Sequence, residues 1–480
     1  GGEYNVAVGN YSLDSLTSAD GTTAIGYNAG TAITTASVCT IVGYLAGDAI
    51  TTGQKNSIFG AETGGAITTG TRNTFVGAES GGGFDTENDN LGIGVLALGG
   101  AINGGEYNVA VGNYSLDSLT TADNNTAVGY QAGSALTTGT NSVFVGSGSG
   151  DAITTGGANT ALGYLSLSQA TTESHNTALG REALNGAISG AERNVAVGNY
   201  TLDALTTGDN NTVVGYQSGT SLTGGENCVL IGANAGDALI LGGNNVAVGK
   251  DALGGAQGDR FNVAIGFEAL KVFNTGTSVN DTENVAVGVQ AGLRVTSGAS
   301  NTLIGGSSGS NVTTGSNNTT LGQGAGSSAS PSNITTSSNN IVLGNNNITD
   351  AFIKVDWTVT SDKRDKTDVE ALTMGLDFVN QLNPVTYRWD MRSDYDDATP
   401  DGTHKKQKLF SGLLAQDVET LERGYGYKVE DETALITSKG EDGNYGLTYQ
   451  RLIPVLINAV KELSATVTTL QQEINTLKGE

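Results

Sequence analysis

The chain has 480 residues, of which 72 are Gly and only 4 are Pro, and aromatic residues make up 6% of it. This composition excludes a set of ordinary globular domains with large aromatic cores. The net charge of −25 excludes a surface built to bind nucleic acid or an anionic membrane, because both of these partners are negatively charged.

The first residues read as the interior of a longer protein. Residues 1–17, GGEYNVAVGNYSLDSLT, recur unchanged at 104–120, and the chain begins with this repeat instead of Met. We therefore expect residue 1 to lie inside a longer parent protein whose attachment region precedes it. No apolar run is long enough to span a bilayer, so we predict no membrane insertion.

A short repeat organises the chain as far as about residue 345. The pattern Asn-[Thr/Val]-Ala-Val-Gly recurs at a nearly constant period of 17, apart from two steps of 18 and two of 22. Its glycines are Gly9, Gly26, Gly43, Gly60, Gly77, Gly94, Gly112, Gly129, Gly146, Gly163, Gly180, Gly198, Gly215, Gly232, Gly249, Gly266, Gly288, Gly305, Gly322 and Gly344. A unit this short cannot bury its apolar face alone, but stacked units can, which is the logic of a solenoid.

Two apolar positions in each unit predict its local structure. The residue before each glycine is Val, Ile, Leu or Phe and its neighbours are mostly apolar, which predicts a short strand covered on one side by the coil interior and on the other by a partner. A second apolar residue seven positions after the glycine, followed by Thr-Thr, predicts a second strand and a turn. The predicted fold class is mainly β, a parallel β-solenoid that rises about 4.8 Å per coil to a rod on the order of 90 Å.

One polar row accompanies the repeat. In sixteen of the twenty units the residue four before the glycine is Asn, and stacked Asn side chains can hydrogen-bond along a ladder. Cys39 and Cys228 occupy this same position eleven coils apart, which separates them by about 50 Å, too far for a disulfide. We predict that both cysteines are small buried substitutes for the ladder asparagine.

The repeats show no pattern typical of a catalytic or metal site. Asp48, Asp151 and Asp237 recur in AGDA sequences, but their spacing does not match a calcium-binding repeat, and no pair of carboxylates is marked out for glycan cleavage. We predict a solvated acidic face with no metal and no cofactor. The longer steps at 272–284 and 326–339 add loops, where binding determinants tend to lie.

The repeats resemble the head repeats of trimeric autotransporter adhesins and similar repeats of many phage tail fibres. In those families, coils of the NTAVG type from three chains wind around one axis. The resemblance covers residues 1 to about 345 and implies a homotrimer. A partner chain would also cover the second face of each predicted strand.

The part of the chain that follows residue 350 differs in composition from the repeats. Eight Lys and Arg residues lie in the first 350 positions and fifteen in the remainder, which also contains both Trp and both Met residues. We predict a shaft over 1–350 and a small mixed α/β domain over 351–480. Helical spacing predicts a helix over 368–382, and the sequences at 383–390 and 409–418 predict strands beside it.

The chain ends in a heptad pattern, which predicts a coiled coil over 453–477. The seam alternates Val or Ile with Leu, which favours two strands in isolated peptides, but we expect three because the repeats imply a trimer. The alternative is an amphipathic helix packed on its own domain. The seam residues are Ile453, Leu456, Val460, Leu463, Val467, Leu470, Ile474 and Leu477.

Four segments in order, SDKRDK, NPVTYRW, GLLAQDVE and YQRLIPVLINAVKEL, resemble the C-terminal intramolecular chaperone domain of phage tail spikes and tail fibres, over a region that spans 352–480. In that family the domain trimerises, nucleates folding of the β-rich stalk and then cuts itself off. The resemblance implies that Ser361 is the nucleophile, that Lys366 is its general base, and that cleavage occurs between Thr360 and Ser361.

The spacing of this pair limits how it can act. Residues five apart lie about 140° around an α-helix, so Ser361 and Lys366 would have to meet through a turn or through packing between chains. Asp362 and its acidic neighbours would keep the lysine charged unless they pair with other cations. The alternative reading is that Thr360 or Ser361 caps a following helix.

These observations predict the distal part of a phage tail fibre, a homotrimeric rod that recognises a glycan receptor on a bacterial surface. It would join other tail proteins through its missing N-terminal region, and it would belong to the extracellular virion after assembly in the host cytoplasm. A bacterial trimeric surface adhesin and a glycan-depolymerising tail spike are the alternatives.

Overall fold

The computed structural model describes residues 1–328, 330–354, 358–441 and 443–479. The chain divides into two compact units, Gly1–Asn318 and Thr319–Glu480. The predicted boundary at residue 350 separates the repeat shaft from a domain that would fold by itself, and it stays a prediction.

The first unit is a parallel β-solenoid, which confirms the predicted fold class. Each strand pairs in parallel with the strand one coil further on, in the register of the repeat, so that Thr212 lies beside Val229 and Val214 beside Ile231. The ladder strands are β1 (Val6–Val8), β2 (Thr23–Ile25), β3 (Thr40–Val42), β4 (Ser57–Phe59), β5 (Thr74–Val76), β6 (Leu91–Ile93), β7 (Val109–Val111), β8 (Thr126–Val128), β9 (Val143–Val145), β10 (Thr160–Leu162), β11 (Thr177–Leu179), β12 (Val195–Val197), β13 (Thr212–Val214), β14 (Val229–Ile231), β15 (Val246–Val248), β17 (Val263–Ile265), β19 (Val285–Val287) and β20 (Thr302–Ile304). Two further short strands, β16 (Asp259–Arg260) and β18 (Asn280–Asp281), pair with each other at the first of the two longest steps of the repeat.

The solenoid core is made of the central residue of each three-residue strand from β2 onward and the second apolar position of most coils. Phe144 in β9 and Ile50 after β3 are both fully buried. The strand residue before the glycine points outward, as with Ile25, which is 40% exposed. The outer face of the ladder is therefore apolar and incompletely covered on a single chain.

The predicted second strand of each coil is wrong. Among residues 1–318, the second apolar position lies in turns instead of a paired strand. The Thr-Thr pair that follows it accounts for this difference. In a representative coil the backbone N–H groups of Thr137 and Thr138 both donate to the carbonyl oxygen of Thr154, at 2.8 and 3.3 Å, and the Thr137 hydroxyl donates to the same oxygen at 2.9 Å. In this coil the turn depends on one carbonyl supplied by the next coil.

The glycine that closes each strand lets consecutive coils approach closely. Gly215 has φ +142°, and a Cβ atom at this position would lie 2.3 Å from the carbonyl oxygen of Gly232. Only glycine tolerates both the conformation and the contact. This explains why the residue recurs in every coil.

The predicted asparagine ladder is confirmed. The amide nitrogen of Asn194 donates to the carbonyl of Gly208 at 2.9 Å, while its side-chain oxygen accepts the backbone N–H of Asn211 at 3.0 Å. Most ladder asparagines thus join their coil to the next through a buried side chain. Buried amides that are fully bonded hold the coils in register.

We expect Asn194→Ala to lower the free energy of unfolding by about 2–4 kcal/mol, because it leaves several buried partners without a hydrogen bond. Urea titration followed by circular dichroism measures this loss. Asn10→Ala, at an exposed position of the first coil, is the control. Equal stability of the two variants would contradict a structural role for the ladder.

The two cysteines behave as ladder substitutes. Both are buried and free, and the Cys228 thiol donates to the carbonyl of Gly242 at 3.4 Å, in the role that the asparagine amide has elsewhere. Burial raises the pKa of Cys228 to about 11. The thiol is therefore un-ionised near neutral pH and unreactive.

The acidic row and the loops differ from a simple solvated surface. Asp48, Asp151 and Asp237 are half-buried, and desolvation raises the pKa of each.

The 272–284 loop is held in place because Arg260 and Asp281 form an ion pair at 2.7 Å. In the 326–339 loop, Ala329 lies outside the described residues. The proposed receptor contacts of these loops stay a prediction.

The second unit begins with the last two repeat strands and continues into a small mixed fold. Its strands are β21 (Thr319–Leu321), β22 (Ile341–Leu343), β23 (Val385–Tyr387), β24 (Phe410–Gly412), β25 (Thr437–Lys439) and β26 (Tyr445–Leu447), and its helices are α1 (Leu376–Gln381), α2 (Ala415–Gly424) and α3 (Leu452–Lys478), with 3-10 turns at Lys363–Asp365, Arg392–Asp394 and Tyr449–Arg451. The pairs β23–β24 and β25–β26 are antiparallel. The core contains Met374, Phe378, Val418, Ile436, Leu452 and Val455.

The predicted helix over 368–382 is too long. The helix begins only at Leu376, after Gly375, and Val369 is exposed instead of facing the core. The preceding residues contact α3 instead, where the side-chain amide of Asn458 donates to the carbonyl of Leu372 at 2.9 Å. Both predicted strand segments contain a strand, although the second turns into α2 soon after its strand ends.

No helix among the described residues combines the length and the apolar character that crossing a bilayer requires.

Candidate functional site

The candidate site is built on a single 3-10 turn, Lys363–Asp365. The turn starts at Asp362, whose carboxylate accepts the backbone N–H of Arg364 at 2.9 Å. It ends at Lys366, whose N–H donates to the carbonyl of Lys363 at 3.3 Å. Both flanking residues, Asp362 and Lys366, are extended, so the turn brings the residues on its two sides close together.

This turn brings the two predicted catalytic residues into contact. Nζ of Lys366 lies 2.5 Å from Oγ of Ser361 and 3.4 Å from the carbonyl oxygen of Ser361. The tight turn brings together two residues five positions apart, which one face of an α-helix would keep separate. The alternative capping role is wrong, since Asp362 caps the turn instead of Thr360 or Ser361. The catalytic roles themselves stay a prediction.

The acidic neighbours of Lys366 are partly neutralised by other residues. Asp362 and Arg364 form an ion pair at 2.6 Å, and the hydrogen bond from Arg364 lowers the pKa of Asp362. Among the described residues, Lys366 forms no ion pair with a carboxylate. The Lys366 ammonium is therefore oriented mainly by Ser361.

The pair is exposed to water on the single chain. Thr360, Ser361 and Lys366 all lie at the surface. A lysine accepts a proton only after it has lost its own, and removal from water is what favours the neutral form. The geometry of a nucleophile and a base is present, but the burial that would activate the base has to come from another surface.

The eight predicted seam residues lie on α3 and are all exposed, by 44% to 87%. The helix packs on its own unit through a different face, with Val455 and Ala459 buried. On that same face the Glu462 carboxylate accepts the backbone N–H of Leu376, the first residue of α1, at 2.7 Å. A helix over the predicted segment is confirmed. Its first turns pack on its own unit, as the alternative expected, but through residues other than the seam. The three-chain coiled coil stays a prediction.

Sequence reasoning missed Glu422 on α2. It is fully buried, and its two carboxylate oxygens accept the backbone N–H groups of Leu435, Ile436 and Thr437 at 2.7 to 3.0 Å. The contact fixes α2 against β25. No local signal separates this glutamate from exposed ones on an amphipathic helix, because its donors lie 13 to 15 residues further on.

A metal centre is not suggested by the side chains. Among the described residues, no group of three or more His, Cys, Asp or Glu side chains is placed to hold a metal ion.

A family model matches part of the C-terminal unit, in a segment that begins at Ser361. Residues 361–426 match the family described as chaperone of endosialidase. This chaperone-of-endosialidase segment contains the Ser361–Lys366 turn, α1, β23, β24 and α2, and it is shorter than the predicted 352–480. The same family is designated a peptidase family.

The comparisons do not extend beyond that segment. No curated protein and no solved structure matches the chain. A β-solenoid followed by a chaperone-of-endosialidase segment fits a protein of the tail fibre or tail spike type. The resemblance of the repeats to adhesin heads stays a prediction.

Proposed function

We propose that the chain is the distal part of a phage tail fibre, a homotrimeric rod for host-surface recognition whose C-terminal domain directs assembly and then releases itself by autoproteolysis. The observation that carries the proposal is the contact between Lys366 Nζ and Ser361 Oγ at the first residue of the chaperone-of-endosialidase segment. The solenoid supplies the rod, and the exposed seam of α3 supplies the assembly surface.

The proposed reaction uses only groups of this chain and water. Neutral Lys366 takes the proton from Ser361 Oγ, which attacks the carbonyl carbon of Thr360. The Thr360–Ser361 C–N bond breaks, the amide nitrogen receives the proton from Lys366, and an ester joins Thr360 to the Ser361 oxygen. Water then hydrolyses the ester, which leaves a carboxylate on Thr360 and a free hydroxyl and amine on Ser361.

Exposure of Lys366 implies an order of events. On the single chain Lys366 is exposed, so the burial that favours the neutral form of a lysine has to come from another surface before the reaction can occur. Assembly of three chains supplies such a surface. Scission then follows trimerisation, and a chain that fails to assemble stays uncut.

The outer face of the solenoid supports the trimer. The outward strand residues form an apolar stripe along the first unit, and single chains seldom leave such a stripe in water. Its exposed members include Val8, Ile25, Phe59, Val76, Ile93, Val128, Leu162, Ile231, Ile265 and Ile304. Two further copies of the chain would cover this stripe.

The state of assembly is the direct test. We expect native mass spectrometry of the purified protein to show three copies at neutral pH and micromolar concentration. The Ser361→Ala variant is the control. Its chain stays whole, so its mass, measured over the same dilutions, shows whether the trimer persists when the seam is still joined to the shaft. A monomer in both samples would contradict the proposed rod.

A further inference from the structure

At two places in the shaft a glutamate side chain accepts the hydrogen bonds that a backbone carbonyl accepts in other coils. Most turns of this kind take a carbonyl acceptor from the next coil, and before the two coils of 18 residues a glutamate side chain takes the place of that carbonyl. At one such place Oε2 of Glu173 accepts the N–H groups of Thr171 and Thr172, at 2.7 and 2.9 Å, and Oε1 accepts the N–H of Gly190 at 2.9 Å. Burial of Glu173 opposes its charged form, but these bonds outweigh burial and lower its pKa.

A second lengthened coil, the one that ends at Gly112, uses the same arrangement. Oε2 of Glu87 accepts the N–H groups of Asp85 and Thr86 at 2.7 and 3.0 Å, and Oε1 accepts the N–H of Gly104 at 2.8 Å. In both coils a carboxylate takes the place of the missing carbonyl.

The last turn of the repeat, Thr335–Thr336, meets the same problem. The ladder ends at β22, and the described residues form no later turn of this kind. The acceptor comes instead from Glu441, in the hairpin between β25 and β26, more than one hundred residues further along the chain.

The contacts at Glu441 reproduce those of a coil carbonyl. Its Oε2 accepts the N–H groups of Thr335 and Thr336 at 2.9 and 3.0 Å and the Thr335 hydroxyl at 2.5 Å, while Oε1 accepts the Thr336 hydroxyl. Burial opposes the charged form, but these bonds outweigh it and lower the pKa of Glu441 to about 2. Four bonds to an ionised acceptor are stronger than four bonds to a neutral carbonyl.

A second contact supports the first. Lys408 pairs with Asp350, and its Nζ also donates to the carbonyl of Thr349 at 3.4 Å. Both contacts join residues before the Thr360–Ser361 bond to residues after it.

We propose that Glu441 closes the end of the solenoid by standing in for the carbonyl of a further coil, so that the C-terminal domain caps the last coil as long as the chain is whole. This inference does not depend on the proposed autoproteolysis.

Hydrogen exchange in the Ser361→Ala background, where the chain is whole, tests the cap alone. We expect the amides of Thr335 and Thr336 to exchange at least about tenfold faster in Glu441→Ala than in the parent. The free energy of one hydrogen bond to a charged group exceeds the free energy that corresponds to a tenfold change in an equilibrium constant. Glu441→Gln, which keeps the shape and one acceptor, should lie between them. Glu370→Ala, which changes an exposed glutamate of the same unit, should match the parent. Equal exchange in Glu441→Ala and the parent would overturn the cap.

Discussion

Ser361→Ala is expected to leave the chain in one piece, whereas the parent separates into residues 1–360 and 361–480. The substitution removes the oxygen that attacks Thr360 and should slow scission by about a thousandfold or more. Lys366→Ala and Lys366→Arg should have the same effect, because methyl and guanidinium groups cannot accept the serine proton. Denaturing electrophoresis and intact mass measurement locate the cut.

Lys363→Ala is the matched control. It removes the same charge from the same exposed turn but leaves both partners of the Ser361–Lys366 contact in place, so this variant should be cut like the parent. Scission of Ser361→Ala at the parental rate would remove the nucleophile assignment. A parent that also stays whole would remove the peptidase activity, but it would leave the role of the domain in assembly open to the next test.

Leu463→Glu combined with Leu470→Glu is expected to abolish the trimer and, with it, both the ordered rod and scission. Leu463 and Leu470 are each about half exposed on the single chain, and burying a leucine contributes roughly 1.5–3 kcal/mol. In a trimer the double variant places six carboxylates in one apolar seam, so association should weaken by at least about a thousandfold. Analytical ultracentrifugation measures the mass, and circular dichroism measures the shaft.

The control places the same charges on another face of the same helix. Ala465→Glu with Gln472→Glu changes two exposed residues that lie outside the seam and should assemble, fold and cut like the parent. Ordered trimers in the seam variant would show that the rod finds its partners without α3. Scission in a monomeric seam variant would show instead that Lys366 needs no partner to become a base.

The regularity of the shaft makes a separate assembly surface necessary. Because nearly all coils have the same length, three chains could pair one coil out of step and still match their apolar positions. A heptad seam of a different period at one end favours a single alignment. Under the proposed function, assembly at α3 sets the register and the coils form away from it.

The sequence by itself determined the features that repeat. The constant period, the strand before each glycine, the buried asparagine row and the heptad seam all depend on spacing within a few residues, and local spacing is visible in a single chain. The pair Ser361 and Lys366 was also identified, through a family resemblance and not through its spacing, which argued against one helical face.

Only the tertiary structure decided the features that depend on distant partners. The second apolar position of each coil lies in a turn because its neighbours bond to the next coil, and α1 is short because the residues before it pack along α3. Glu441 meets Thr335 across 106 positions, and no local pattern marks it among other exposed glutamates. Such contacts depend on the three-dimensional closeness of the last turn of the repeat and a carboxylate that accepts its N–H groups.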